Sequence, residues 1–382
     1  MSSQCARPSV GLNLLFLEPG ATGGMETYAR ELVPELPIAM PEARFTVLAG
    51  RELADEWRSS PWHPEIELLD LRVSSATRVA RTFWEQTLVP RQARRRGLNL
   101  LHSLSQSAPV RPPCASVVTI HDLIYATNPE SSTALMNRGL GFLIPAVARS
   151  ATRIIAPSNA TRRAIEGELG IAPERIDVVP EGPGRSPPGD GAATDEEAIR
   201  KRLGLRDSSV ILSVSARRPH KNLRRLVEAM ALVPDAVLVL PGYATPFDDE
   251  LRSVAVEAGV SDRVRLCGWL ADAELEGLYR IAACMVFPSL AEGFGLPVLE
   301  AMERGVPVAT SASTALAEVA GGAAVLFDPL SVGSIAGALN ELLADPELCD
   351  RLVAGGREQA RRFSWTAAAE GTVESYRRAL AT

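Results

Sequence analysis

Short β-branched and aliphatic runs alternate along this chain with longer stretches of helical period, and that alternation constrains the fold more than any other feature. A β-run, a helix and another β-run specify βαβ units, hence parallel sheets with helices on both faces. Strand candidates in the first half are Val10–Leu17, Phe45–Ala49, Ile66–Leu71, Leu98–His102, Ser116–His121, Arg153–Ala156 and Ile176–Val179, with helical patterns such as Met25–Leu36 and Ser158–Leu169 between them. From Gly182 to Thr194 the chain is rich in Gly and Pro and loses all periodicity, which marks a domain boundary. The rhythm then restarts with Val210–Ser215, Ala236–Leu240, Val264–Cys267, Cys284–Phe287, Pro307–Thr310 and Ala323–Phe327. It turns helical from Ser331 onward, with a last helix at Trp365–Leu380. The sequence thus predicts an α/β protein of two doubly wound, Rossmann-like domains: residues 1–182, a linker at 183–194, residues 195–364, and a closing helical segment at 365–382. Its 382 residues suit two domains of roughly 150–200 residues each. Ligands of such sheets collect at the carboxyl ends of the strands, here expected at a cleft between the domains.

Composition narrows the partners. Forty basic and 46 acidic residues give a net charge of −6. Up to Gly182, 19 arginines balance 19 acidic residues, and all the excess negative charge falls in the remainder. Sustained binding to a nucleic-acid backbone is not expected from that balance. The five cysteines (Cys5, Cys114, Cys267, Cys284, Cys349) are odd in number and show no CxxC spacing, which argues against a disulfide framework or a zinc site. The apolar run Val10–Leu17 is interrupted by Asn13, and no stretch approaches the ~18 apolar residues of a membrane span. A reduced, cytoplasmic chain is expected. Only two of the 40 basic residues are lysines, Lys201 and Lys221.

The segment Glu292-Gly-Phe-Gly-Leu-Pro-Val-Leu-Glu300 follows a strand and enters a helix with Pro297 in its first turn, where the missing N–H costs nothing. Gly293 and Gly295 let backbone approach a ligand, and free N–H groups at a helix start favour phosphate or sugar oxygens. Glu292 and Glu300 can both face one ligand, and carboxylates accept hydrogen bonds from diols. On this segment the chain resembles the retaining nucleotide-sugar glycosyltransferases of family 4, which have the two-domain GT-B fold; Glu292 and Glu300 match their E-x7-E motif, and the likeness runs over nearly the whole chain. The resemblance implies that Glu292 contacts donor sugar hydroxyls and Glu300 the ribose. It also implies that amides around Phe294, Gly295, Leu296 and Pro297 hold the sugar and diphosphate, and that the last helix crosses back to the first domain.

Val214-Ser-Ala-Arg-Arg-Pro-His-Lys-Asn222 leaves the first strand of the second domain as a run of cations opening a helix, a natural diphosphate clamp with Lys221 at its centre. The family's arginine five or six positions earlier is replaced by Ala216 and Ser215, which leaves Arg217 or Arg218 as the second cation. Gly20-Ala-Thr-Gly-Gly-Met-Glu-Thr27 is not the GxGxxG fingerprint, so a nicotinamide dinucleotide is not expected. The resemblance sets Gly23 and Gly24 against the donor diphosphate. Thr119-Ile-His121-Asp122 ends a strand; the resemblance makes His121 a functional residue near the reacting sugar, with Asp122 orienting its loop. His102 reads as structural.

No Asp-x-Asp pair occurs, so a metal-dependent diphosphate site is not indicated and the cations must come from the protein. No cofactor is expected beyond a nucleoside-diphosphate sugar as co-substrate. Trp84-Glu-Gln86 together with the Pro-His-Lys-Asn loop looks most like mannosyl- or rhamnosyltransferases of polysaccharide assembly, which makes GDP-mannose the first donor to consider. The basic helix end Arg91-Gln-Ala-Arg-Arg-Arg96 reads either as a solvated face or as a weak peripheral contact with an anionic membrane. A nucleotide-sugar epimerase of the same architecture and a non-catalytic nucleotide-sugar-binding subunit are the rival readings.

Overall fold

The computed structural model describes residues 7–74, 77–124, 134–184, 195–312 and 314–382; Cys5 and most of the expected linker, 185–194, lie outside them. The chain divides into two compact units. Phe363–Thr382 belongs with the N-terminal unit, and Pro183–Arg362 to the second.

The first unit carries β1 (Ser9–Asn13), β2 (Arg44–Ala49), β3 (Glu67–Asp70), β4 (Leu100–Ser103), β5 (Ala115–Thr119), β6 (Arg153–Ala156) and β7 (Ile176–Val178). They form one parallel sheet in the order β3-β2-β1-β4-β5-β6-β7. Its helices are α1 (Gly24–Ala39), α2 (Arg51–Ser59), α3 (Arg78–Arg95), α4 (Ala134–Ser150) and α5 (Asn159–Leu169). The chain order reverses between β1 and β4, so the switch point where such sheets bind ligands lies at the carboxyl ends of those two strands. The predicted strand Val10–Leu17 is cut short at Asn13, whose side-chain oxygen accepts from the Leu15 N–H and turns the chain. The run stays apolar because Leu14, Leu15 and Leu17 are as buried in the turn as they would be in a strand.

The second unit opens with α6 (Glu196–Leu203), followed by β8 (Ser209–Leu212), α7 (Leu223–Ala229), β9 (Ala236–Leu240), α8 (Phe247–Glu257) and β10 (Val264–Leu266). Next come α9 (Asp272–Ile281), β11 (Ala282–Phe287), α10 (Leu296–Glu303), β12 (Val308–Ser311), α11 (Thr314–Ala320) and β13 (Val325–Phe327). The helices α12 (Val332–Ala344) and α13 (Pro346–Ala360) close the unit. Its parallel sheet runs β10-β9-β8-β11-β12-β13, with the switch point between β8 and β11.

The last helix, α14 (Trp365–Leu380), starts at a Ser364 cap and packs Ala368, Ala369, Val373, Tyr376 and Ala379 into the core of the first unit beside Tyr28, Leu32 and Leu36 of α1. A buried polar chain fixes it there. Tyr28 bonds Thr119 at 3.1 Å, Thr119 bonds His102 Nε2 at 2.9 Å, and His102 Nδ1 bonds the Tyr376 hydroxyl at 2.6 Å. Burial pulls the His102 imidazole down to about 3, so it stays neutral and structural. Among the described residues no helix is long and apolar enough to cross a membrane.

Candidate active site

At the switch point of the second unit two loops are stitched together. The amide of Asn222, held at a left-handed φ of 57°, donates to the carbonyls of Pro288 (3.0 Å) and Pro329 (2.7 Å). The His220 carbonyl accepts from the Leu290 N–H at 2.8 Å and the Ser289 hydroxyl at 3.1 Å. These bonds bring the single turn Pro219–Lys221 against the loop that leaves β11. The consequence is an ion pair: Lys221 Nζ lies 2.5 Å from Glu292 Oε1, both side chains mostly but not wholly covered, and 5.3 Å from the centre of the Phe287 ring. In the same β8 loop the hydroxyls of Ser213 and Ser215 and Nδ1 of His220 are buried without a hydrogen-bond partner. Burial, reinforced by the adjacent Lys221 charge, holds the His220 ring down near 4, hence neutral. Buried polar atoms are normally paired, so three orphans in one loop stand out.

Gly293, Phe294 and Gly295 are buried, and Leu296 and Pro297 open α10. Gly295 is required for two reasons. Its φ is 122°, and a Cβ there would come within 2.6 Å of Leu316. Glu300, one turn inside α10, accepts from the Tyr279 hydroxyl at 3.1 Å. Burial first, then the Glu300 charge, push the Tyr279 phenol well above its ordinary range, so it remains a donor. The backbone of Gly184, in the stretch read from sequence only as a linker, passes so close to Glu300 that a Cβ there would sit 1.7 Å from Oε1.

Arg217 and Arg218 part company. The Arg217 guanidinium is 2% exposed and donates to Asp248 (2.8 Å) and to the carbonyls of Leu240, Cys267 and Gly242 (2.9 Å each). It ties the ends of β9 and β10 together, with four of its five N–H groups engaged in those bonds. Arg218 is exposed, and of the two it alone is free of such bonding.

In the first unit Gly23 caps α1 with a φ of 68°, and the loop before it is closed by Glu26, whose carboxylate accepts from the Gly20 N–H at 2.9 Å. Gly24 is the first residue of the helix. His121 is 8% exposed, with Nε2 2.9 Å from the Leu104 carbonyl and Nδ1 3.2 Å from Glu181. A carbonyl and a carboxylate only accept, so both ring nitrogens carry hydrogen. Burial alone lowers the imidazole, but the Glu181 bond and charge outweigh it and leave the pKa raised. Asp122 turns the loop by accepting from the Ile124 N–H at 3.0 Å.

Two parallel Rossmann-like domains, one with a Lys–Glu pair and glycine-rich helix start at its switch point, define the GT-B class of glycosyltransferases. The chain matches the family models "Glycosyltransferase Family 4" over residues 22–182 and "Glycosyl transferases group 1" over residues 195–359. It is 31% identical to the O-antigen chain mannosyltransferase B of Escherichia coli, over 69% of this chain and 70% of that protein. The fold is similar to that of sucrose-phosphate synthase from Thermosynechococcus elongatus (TM-score 0.76, 22% identity, covering 98% of this chain and 100% of that one). It is also similar to Anabaena HepE, solved in complex with UDP and glucose (TM-score 0.72, 19% identity, covering 97% and 99%). The chain belongs to the family 4 glycosyltransferases and, within them, resembles mannosyltransferases.

Proposed function

We propose that this glycosyltransferase is retaining and metal-independent, and moves a hexose, mannose first, from a nucleoside-diphosphate sugar, GDP-mannose first, to a hydroxyl of a glycan, lipid-linked or small-molecule acceptor. The observation that carries this reading is the Lys221–Glu292 pair set among the orphaned Ser213, Ser215 and His220 atoms. A diphosphate arriving there takes the Lys221 ammonium and the α10 amides, and frees Glu292 to accept from sugar hydroxyls. As the bond between the sugar C1 and the phosphate oxygen breaks, its electron pair goes to the phosphate, where Lys221, Arg218 and the amides offset the charge. The acceptor oxygen bonds to C1 from the same face, and its proton goes to the departing phosphate.

The E. coli relative's mannosyltransferase name supports mannose, and the nucleotide in the HepE structure supports the donor class. The test is incubation with radiolabelled GDP-mannose, with UDP-glucose in parallel, in the presence and absence of mannoside acceptors. Labelled product with a retained anomer, formed in a metal chelator, supports the reading. Interconversion of the donor sugar without acceptor is the outcome of an epimerase, and binding without turnover that of a non-catalytic subunit; either overturns it.

Arg91, Arg94 and Arg95 stand exposed at the end of α3, whereas Arg96 pairs with Glu67 at 2.5 Å. They support a weak peripheral contact with the anionic inner face of a membrane, hence a cytoplasmic site of action. Salt-sensitive sedimentation with phosphatidylglycerol vesicles, lost when the three are replaced by Ala, tests it.

A further inference from the structure

Glu181 stands one residue before the point, Gly182, where the chain leaves the first unit. It follows β7, whereas His121 follows β5, and β6 lies between those strands in the sheet. The Glu181 carboxylate therefore reaches across the end of β6 to meet Nδ1 of His121 at 3.2 Å, and both side chains are buried. The segment that carries Glu181 is fixed at each side. The Val179 N–H donates to the Ala156 carbonyl at 2.9 Å. Gly182 lies so close to the start of α14 that a Cβ there would come within 2.7 Å of the Trp365 ring and 2.8 Å of its backbone nitrogen. Tyr28 of α1 closes the enclosure, its ring meeting that of His121 edge-on at 4.7 Å between centroids and that of Trp365 at 5.9 Å. From the remaining sides the Leu104 carbonyl accepts from Nε2 at 2.9 Å, and the Thr161 hydroxyl of α5 donates to the His121 carbonyl at 3.3 Å. A flip of the ring would set carbon atoms against both acceptors, so its plane and its direction are fixed together.

We propose that Glu181 is a positioning residue of the transfer reaction: it holds His121 as an imidazolium locked in one plane, so that His121 acts through its charge and not as a base. This rests on the reading of His121 as a residue of the transferase site, and adds what sets its state there. A neutral imidazole has one N–H and one lone pair. Between two acceptors it would turn that lone pair against either the Leu104 carbonyl or the Glu181 carboxylate, whereas the imidazolium satisfies both. Its two N–H groups are then spent on the protein. No proton passes through the ring, and that of the acceptor hydroxyl goes to the departing phosphate. The groups that bear on the His121 charge are Glu181 beyond β7, Asp122 in its own loop, His102 of β4 and Tyr28 of α1. His102 is neutral, and burial keeps the Tyr28 phenol protonated. The two carboxylates are left to oppose the burial of the cation, and Glu181 is the one whose oxygen meets a ring nitrogen.

The test is the pH profile of transfer by the full chain, with GDP-mannose and a mannoside acceptor, between about pH 5.5 and about pH 8.5. Glu181→Gln keeps the shape of the side chain, but its amide can donate to Nδ1 and so admits the neutral ring. The variant is expected to lose kcat increasingly as pH rises, from a small deficit near pH ~5.5 to roughly tenfold near pH ~8, with the donor KM unchanged. A purely structural role would lower the rate equally at every pH. Nitrogen-15 NMR of the ring reads the same point without turnover. At about pH 6.5 wild-type His121, assigned by the loss of its signals in His121→Gln, should show both nitrogens protonated, and Glu181→Gln should show one bare nitrogen. Should Glu181→Gln fail to fold by circular dichroism, the wild-type spectrum decides. An unchanged profile, a loss equal at every pH, or a bare ring nitrogen in wild type would each overturn the proposal. Failure of the underlying site reading would look different: normal transfer by His121→Gln, or none by wild type, with both wild-type nitrogens still protonated.

Discussion

The ammonium of Lys221 lies 2.5 Å from Oε1 of Glu292, although 71 positions separate them in the chain. Each residue lies in the connection that follows a different strand of the second sheet, β8 and β11, and those strands are neighbours in that sheet. The Asn222 and His220 bonds between the two loops hold the pair in place.

Replacing Lys221 by Ala, or Glu292 by Ala, is expected to lower transfer by about two orders of magnitude or more. The double variant should cost less than the two effects added, because the residues act as one unit. Release of nucleoside diphosphate under saturating acceptor measures all three, and near-normal turnover in both single variants would remove the assignment.

Arg217 and Arg218 should separate stability from donor affinity. Arg217→Ala strands the buried Asp248 carboxylate and three strand-end carbonyls, a loss of about 3–5 kcal/mol read by urea unfolding. Arg218→Ala should leave the unfolding midpoint in place while raising the donor KM about tenfold. The opposite pattern would restore Arg217 to the phosphate site.

Gly184→Ala should act through Glu300. The added methyl cannot coexist with Oε1 in its observed place, so the Glu300 carboxylate is expected to shift. Calorimetric titration with GDP is expected to show roughly tenfold weaker binding, as for Glu300→Gln. Unchanged affinity would mean that Glu300 does not read the ribose.

The His121–Glu181 pair predicts a pH dependence with a definite sign. The imidazole's pKa is raised in the folded state, so its stabilisation is fully present below the unfolded value of about 6.5 and is lost as pH rises through the folded pKa. The melting temperature of wild type should fall above that pH, and Glu181→Gln should flatten this part of the profile. A profile that is the same in both proteins would show that the imidazolium is not held by Glu181.

Element placement is legible because burial period is a local property: the strands Arg153–Ala156 and Ala236–Leu240 and the helix Trp365–Leu380 stand where the pattern puts them. Element ends were less so, as at Asn13, where a side-chain bond rather than polarity stops the strand. The inward stripe of Glu85, Val89 and Ala93 is also a local signal, an acid at a core helical position. Nothing local could show that Gly184 touches Glu300 or that Arg217 is consumed. A run of adjacent cations looks alike whether each side chain points out or in.

The order of residues alone determined two doubly wound α/β domains, the strand-end loops that bear Lys221 and Glu292, and the helix start that leads to Glu300, because apolar spacing and turn residues act over a few positions. Tertiary structure decided which groups meet. Parallel pairing of β8 with β11 joins Lys221 to Glu292, and that of β1 with β4 places Glu85 beside Ser107. The contacts around Arg217 turn one of two neighbouring arginines into a structural tie. Such pairings depend on strand order and loop bonding between distant segments, which periodicity does not encode.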